Sequence, residues 1–189
     1  MLESHQHSRL WAWHPSAQQQ AFRSLMTAFS YPGRVMSIGH GRDDTQQLLL
    51  ATLVDGATSL ADATGQLHED DWRLLGVQQA SIDTARFVLA DGMVPLDATP
   101  ALGSLENPDQ GATVILRVDS LHHGTAWRLS GPGIQHHNRL LVTGMDPRWW
   151  HQRTQWNAGF PMGVDMVLIA EQGMVALPRT IHIEQEGAH

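Results

Sequence analysis

The spacing of apolar residues changes character partway along this chain, and that change restricts the fold more than any other feature. Over the first half, helical and extended patterns alternate. Phe22, Leu25, Met26 and Phe29 fall at i, i+3, i+4 and i+7, one stripe of a helix over 16–29 that Ser16 is placed to cap. The stripe is expected to pack in the core. Pro32-Gly33 ends the helix, and residues 34–38, opening on Arg34, alternate as a short strand. A second helix over 45–53 is apolar on several sides, as a buried helix is. Residues 58–61 and 86–90 suggest strands. Between them His68-Glu69-Asp70-Asp71-Trp72 opens a short helix whose acids suit the helix dipole.

From Ala112 onward the pattern is mostly extended. Residues 113–118 and 126–129 form two strands joined across Leu121-His122-His123-Gly124. Residues 147–157, with Trp149, Trp150 and Trp156, form a helix whose aromatic content points to an interface. Residues 164–170 and 174–177 flank Glu171-Gln172-Gly173 at hairpin spacing, and 180–184 is expected to extend the same sheet. Residues 91–111, rich in Gly, Pro, Asp and Asn, are loops around one short turn. The sum is α/β: a single domain over 16–189, a mixed sheet flanked by helices. With 189 residues the chain can build one sizeable core and is short for two. Residues 1–15 lack a sustained period and are expected to form an arm that Trp11 and Trp13 dock somewhere.

Composition then removes whole classes of chemistry. The chain has no cysteine, so it has no thiolate nucleophile and no thiolate-held zinc or iron–sulfur site. It has no lysine either: all twelve cationic side chains are arginine, so an internal Schiff base with pyridoxal phosphate is excluded. Arginine suits bidentate binding of phosphate, phosphonate or carboxylate. A net charge of −7 argues against nucleic acid as a partner. The longest apolar runs are far too short to cross a bilayer, and no secretory h-region follows the N-terminus, so a cytoplasmic protein is expected.

The motifs that could carry catalysis are sparse. Gly39 to Gly41 and Gly131 to Gly133 are two-glycine turns, and Pro132 removes an amide that an anion nest would use. His5 and His7 could bind a metal in isolation. His122-His123 and His136-His137 are adjacent pairs whose side chains diverge, and His40, His68 and His151 stand alone, so no metal is expected. The nearest thing to a site is C-terminal, where Asp165, Arg179, Thr180 and His182 flank the hairpin. Arg179 could hold an oxyanion and His182 could move a proton. The plainer alternative is that Asp165 pairs with Arg179 to lock the hairpin.

These C-terminal residues also carry a resemblance. Phe160-Pro161-Met162-Gly163-Val164-Asp165-Met166-Val167-Leu168, followed by Ala176-Leu177-Pro178-Arg179-Thr180-Ile181-His182-Ile183, is similar to the C-terminal signature of the phosphonate-metabolism H-subunit family (PhnH) of bacterial carbon–phosphorus lyase systems. Residues 22–33, 111–118 and 129–134 resemble further blocks of that family in the same order, while agreement is thin over 57–109. Ile181 departs from the pattern, standing where a second threonine is expected.

The resemblance implies a fold similar to pyridoxal-phosphate-dependent transferases but without the cofactor, and a homodimer when isolated. It implies assembly with G, I and J subunits that make ribose 1-alkylphosphonate 5-triphosphate from ATP and alkylphosphonate. Asp165, Arg179, Thr180, His182 and Arg34 are then candidate ligand or interface residues. Three functions stay open: an assembly subunit without its own active centre, a small enzyme using Arg179, His182 and Asp165, or a module binding phosphonate or nucleotide. A docking surface would expose apolar residues, whereas an enzyme would show a concave site with perturbed titrating groups.

Overall fold

A computed structural model describes residues 11–187. Among them run α1 (Pro15–Ser30), α2 (Arg42–Leu53), β1 (Ser59–Asp62), α3 (Glu69–Leu75), β2 (Gln78–Gln79), β3 (Phe87–Asp91) and β4 (Thr113–Arg117). Then follow β5 (Ser120–Ser130), β6 (Asn138–Thr143), α4 (Arg148–Trp156), β7 (Asp165–Ala170), β8 (Gly173–Leu177) and β9 (His182–Gln185). The fold is α/β, built on a mixed six-stranded sheet of order β2-β1-β3-β4-β7-β8. The first five strands are parallel and β8 turns back antiparallel on β7.

Parallel strands covered on both faces read as continuous apolar runs, and Val114-Ile115-Leu116 and Met166-Val167-Leu168-Ile169 are such runs. Their alternate residues face two different layers. Leu60, Leu89, Ile115, Val167 and Ile169 pack under α1, α2 and α3. Ala61, Val88, Val114, Leu116, Met166 and Leu168 pack on the opposite side, against α4 and a three-stranded antiparallel sheet of order β6-β5-β9.

Several expectations are corrected here. Only half of the stripe on α1 packs: Leu25 is buried and Phe29 lies against the helical layer. Ala17, Ala21, Leu25 and Ala28 face the core, while Phe22 and Met26 are 51% and 52% exposed. At 100° per residue the apolar stripe is rotated roughly a quarter turn from the buried one. Alanines let α1 lie close to α2 and β8, and that close approach fixes its rotation. The helix begins at Pro15, with His14 as its N-cap; the Ser16 hydroxyl bonds the His14 ring at 2.8 Å instead of capping.

The strand expected over 34–38 shrinks to one bridge, Met36 with Met174 at 2.8 and 2.9 Å, because its neighbours bond locally. The Arg34 amide donates to the Tyr31 carbonyl, and the Ile38 carbonyl accepts from the Thr45 hydroxyl. The segment over 121–124 is no connection: it lies inside the eleven-residue β5, bulged between Ser120 and Thr125. β4 and β5 therefore belong to different sheets, and β9 joins β5 rather than extending the large sheet. The three tryptophans of α4 are core residues: Trp149, Trp150 and Trp156 are 0%, 8% and 5% exposed. The described end of the arm docks on the chain itself, with Ala12 buried and Trp13 packed against the helical layer. His5 and His7 lie outside the described residues.

Candidate functional site

β7 opens on Asp165, and the chain leaving β8 returns over it at Arg179. The Asp165 carboxylate accepts the Arg179 backbone amide at 2.7 Å, Nη2 at 2.7 Å and Nε at 3.2 Å. Arg179 Nη1 donates to the Pro108 carbonyl at 2.7 Å and approaches the Pro161 carbonyl at 3.4 Å. The guanidinium thus ties three loops at one end of the sheet, and it is largely covered there, with 12% of the side chain exposed. A guanidinium bonded on both edges in this way has no free fork for an oxyanion.

Thr180 and His182 follow on the surface, both exposed, with His182 opposite Ser130 in the small sheet. Arg34 lies exposed in the turn after α1, on a separate segment. The structure therefore brings together Asp165 and Arg179 alone of the five candidates. It also supplies a residue the sequence did not single out. Arg153 of α4 is 4% exposed, and it donates to the carbonyls of Pro178 at 2.6 Å and Ile181 at 3.2 Å. Burial pulls its pKa down to about 10, opposed by the attraction of Asp165. The turn over 178–181 is thus held twice, by its own Arg179 on Asp165 and by Arg153 of α4 on its carbonyls.

A second feature lies at the other end of the sheet, beyond the carboxyl ends of the parallel strands, where α/β sheets usually form their clefts. A cleft of about 340 Å³ opens between the start of α2, the β1–α3 connection and the end of β4. Arg117 lines it, 9% exposed, donating to Gln46 Oε1 and, at 2.9 Å, to Asp43 Oδ1. Asp44, Asp71, His68 and Trp13 line it as well, with Leu50, Leu67 and Leu75 as its apolar wall. Asp71 also accepts the His68 backbone amide at 3.0 Å, which fixes the start of α3. Three carboxylates outnumber the one guanidinium, so the cleft disfavours phosphonates and polyphosphates. Arg117 was missed because one charge ending an apolar strand looks like any strand terminus.

Among the described residues no three His, Asp or Glu side chains gather as a metal site. His122, His123, His136 and His137 are exposed. No helix among the described residues is long and apolar enough to cross a membrane.

A family model described as bacterial phosphonate metabolism protein (PhnH) matches residues 10–184. A protein of Stutzerimonas stutzeri named as a C-P lyase subunit protein, HtxG, is 55% identical over 177 residues, covering 94% of this chain and 91% of the relative. A second relative, the alpha-D-ribose 1-methylphosphonate 5-triphosphate synthase subunit PhnH of Rhizobium meliloti (strain 1021), is 29% identical over 181 residues, covering 89% and 90%.

Proposed function

This chain belongs to the bacterial phosphonate metabolism protein (PhnH) family, and on that premise we propose that it is a subunit of a carbon–phosphorus lyase assembly which it helps to build rather than supplying the reacting centre. The observation that carries the scaffold role is the state of Arg179. The side chain best suited to grip a phosphonate spends its donors on Asp165 and on loop carbonyls. The signature segment around it is accordingly a device for holding loops in place. The cleft at the opposite end of the sheet, lined by Asp43, Asp44 and Asp71, is a poor host for the same anion.

In this reading the partners are the G, I and J subunits, and the assembly works in the cytoplasm, making ribose 1-alkylphosphonate 5-triphosphate from ATP and an alkylphosphonate. Names borne by both relatives, one a lyase subunit and one a synthase subunit, support it. The chain itself brings neither cysteine nor lysine, so thiolate and Schiff-base chemistry would come from other subunits. Co-expression of the tagged chain with the G, I and J subunits of its own genome tests the proposal. The expected result is a stoichiometric complex by size exclusion whose synthase activity falls when this chain is left out. A chain that elutes alone, with the remaining subunits fully active, overturns it.

A further inference from the structure

We propose that the exposed flank of α1 is the docking ridge of this subunit, and that it seats in an apolar groove rimmed by carboxylates on a non-identical subunit. The inference rests on the assembly reading above and gives it a surface. Phe22 and Met26, one helical turn apart, are 51% and 52% exposed, and Tyr31 at the helix C-cap is 54% exposed. Side chains at i and i+4 on one helix face are the anchors a helix offers to a groove. Tyrosine and arginine are enriched among the residues that carry interface energy, and methionine adapts to irregular pockets.

Charge decides what kind of groove fits. The whole chain carries −7, yet α1 (Pro15–Ser30) contains no acid. Arg23 beside Phe22 and Arg34 just after Tyr31 are both exposed. Among the described residues neither side chain has a hydrogen bond or ion pair. The ridge is therefore locally basic on an acidic protein, which favours a partner face of opposite sign. Pairing two copies ridge to ridge would gather four like charges in one interface, which disfavours a second copy of this chain as the occupant.

The ridge is also held in shape before any partner arrives. Gln18 donates to the Ala51 carbonyl of α2 at 2.7 Å, and Asn138 of β6 donates to the Pro32 carbonyl at 2.7 Å. The helix is thus fixed at its start to the helical layer, and its C-terminal turn is fixed to the small sheet. A surface already ordered loses less entropy on docking.

Two double variants test the ridge in the co-expressed assembly, F22S/M26S and R23E/R34E. All four side chains are exposed, so both variants should keep the melting temperature of the wild type. The expected result is at least tenfold weaker association for each, with the charge variant no longer showing the steep salt dependence of the wild type. Wild type and variants that co-purify equally overturn the ridge and leave the subunit reading standing. Variants that turn a homodimer into a monomer while still joining the assembly also overturn it. A wild-type chain that fails to co-purify overturns the subunit reading and the ridge with it.

Discussion

Asp165 meets Arg179 with both carboxylate oxygens and takes its backbone amide as well, so one acid fixes a side chain and a chain direction together. Replacing it as Asp165→Asn removes the charge and leaves Arg179 largely buried. The cost should be about 2 to 4 kcal/mol, below that of a fully enclosed pair because Asp165 keeps 22% of its side chain exposed. Urea unfolding would show it as a lower midpoint with the m-value kept. The double change Asp165→Leu with Arg179→Met should recover part of the loss, since no charge is then stranded. A double variant as unstable as the sum of its singles would refute the lock.

Arg153 gives a pH signature that this composition makes easy to see. Its pKa is pulled down to about 10 by burial. Between that value and the ordinary arginine range, the unfolded chain binds the proton that the folded one releases. Stability should therefore rise with pH in this window, by up to about 1.4 kcal/mol per pH unit, whereas below pH 10 Arg153 adds no slope. The chain has no lysine and a single tyrosine, so few other side chains change charge there. Chemical denaturation at successive pH values from 9.5 to 11.5 (roughly the accessible part of the window) should give a positive slope that Arg153→Met abolishes. An equal slope in the variant would assign the effect elsewhere.

The cleft beside Arg117 should ignore simple oxyanions. Titration with methylphosphonate or inorganic phosphate should leave the Trp13 fluorescence and the amide resonances of residues 43–47 unmoved, because Asp43, Asp44 and Asp71 set the local field. Saturable millimolar binding there would contradict that field. Asp43→Asn should shift the balance towards anions, since it removes the carboxylate that Arg117 now contacts at 2.9 Å.

Gly163 is a stability test of the signature segment. Its φ is +144°, and an added Cβ would lie 2.3 Å from Asn157 Oδ1, the atom that accepts the Val164 amide at 2.7 Å. Gly163→Ala should cost more than about 2 kcal/mol through backbone strain and loss of that bond. A melting temperature within a degree of the wild type would rule the contact out.

The elements that sequence alone revealed are those whose residues carry their own period. The run from Met166 to Ala170 and the turn into Gly173 announce β7 and β8, and Leu48-Leu49-Leu50 announces a buried helix. β6 was unreadable because Leu140 and Val142 are its only fully buried residues, and they follow His136-His137-Asn138-Arg139. The start of β5 is hidden because residues 122–125, which hold its bulge, are all exposed and break the alternation of a strand. Pairing of Asp165 with Arg179 could be weighed from spacing, but the grip of Arg153 on Pro178 could not. Nothing local distinguishes that arginine from Arg148, which pairs with Asp146 on the surface. The rotation of α1 was likewise hidden, since it depends on how closely Ala21 and Ala28 let neighbouring elements approach.

The order of strands in the large sheet also has a consequence for synthesis. β4 lies at its centre, yet one of its two edges waits for β7, while β5, β6 and α4 are made in between. At roughly 5 to 20 residues per second, the stretch from Arg117 to Ala170 takes about 3 to 10 seconds to emerge. Throughout that interval Val114-Ile115-Leu116 presents an open apolar strand edge, so the nascent chain is most prone to aggregate just before its own last hairpin arrives to close the sheet.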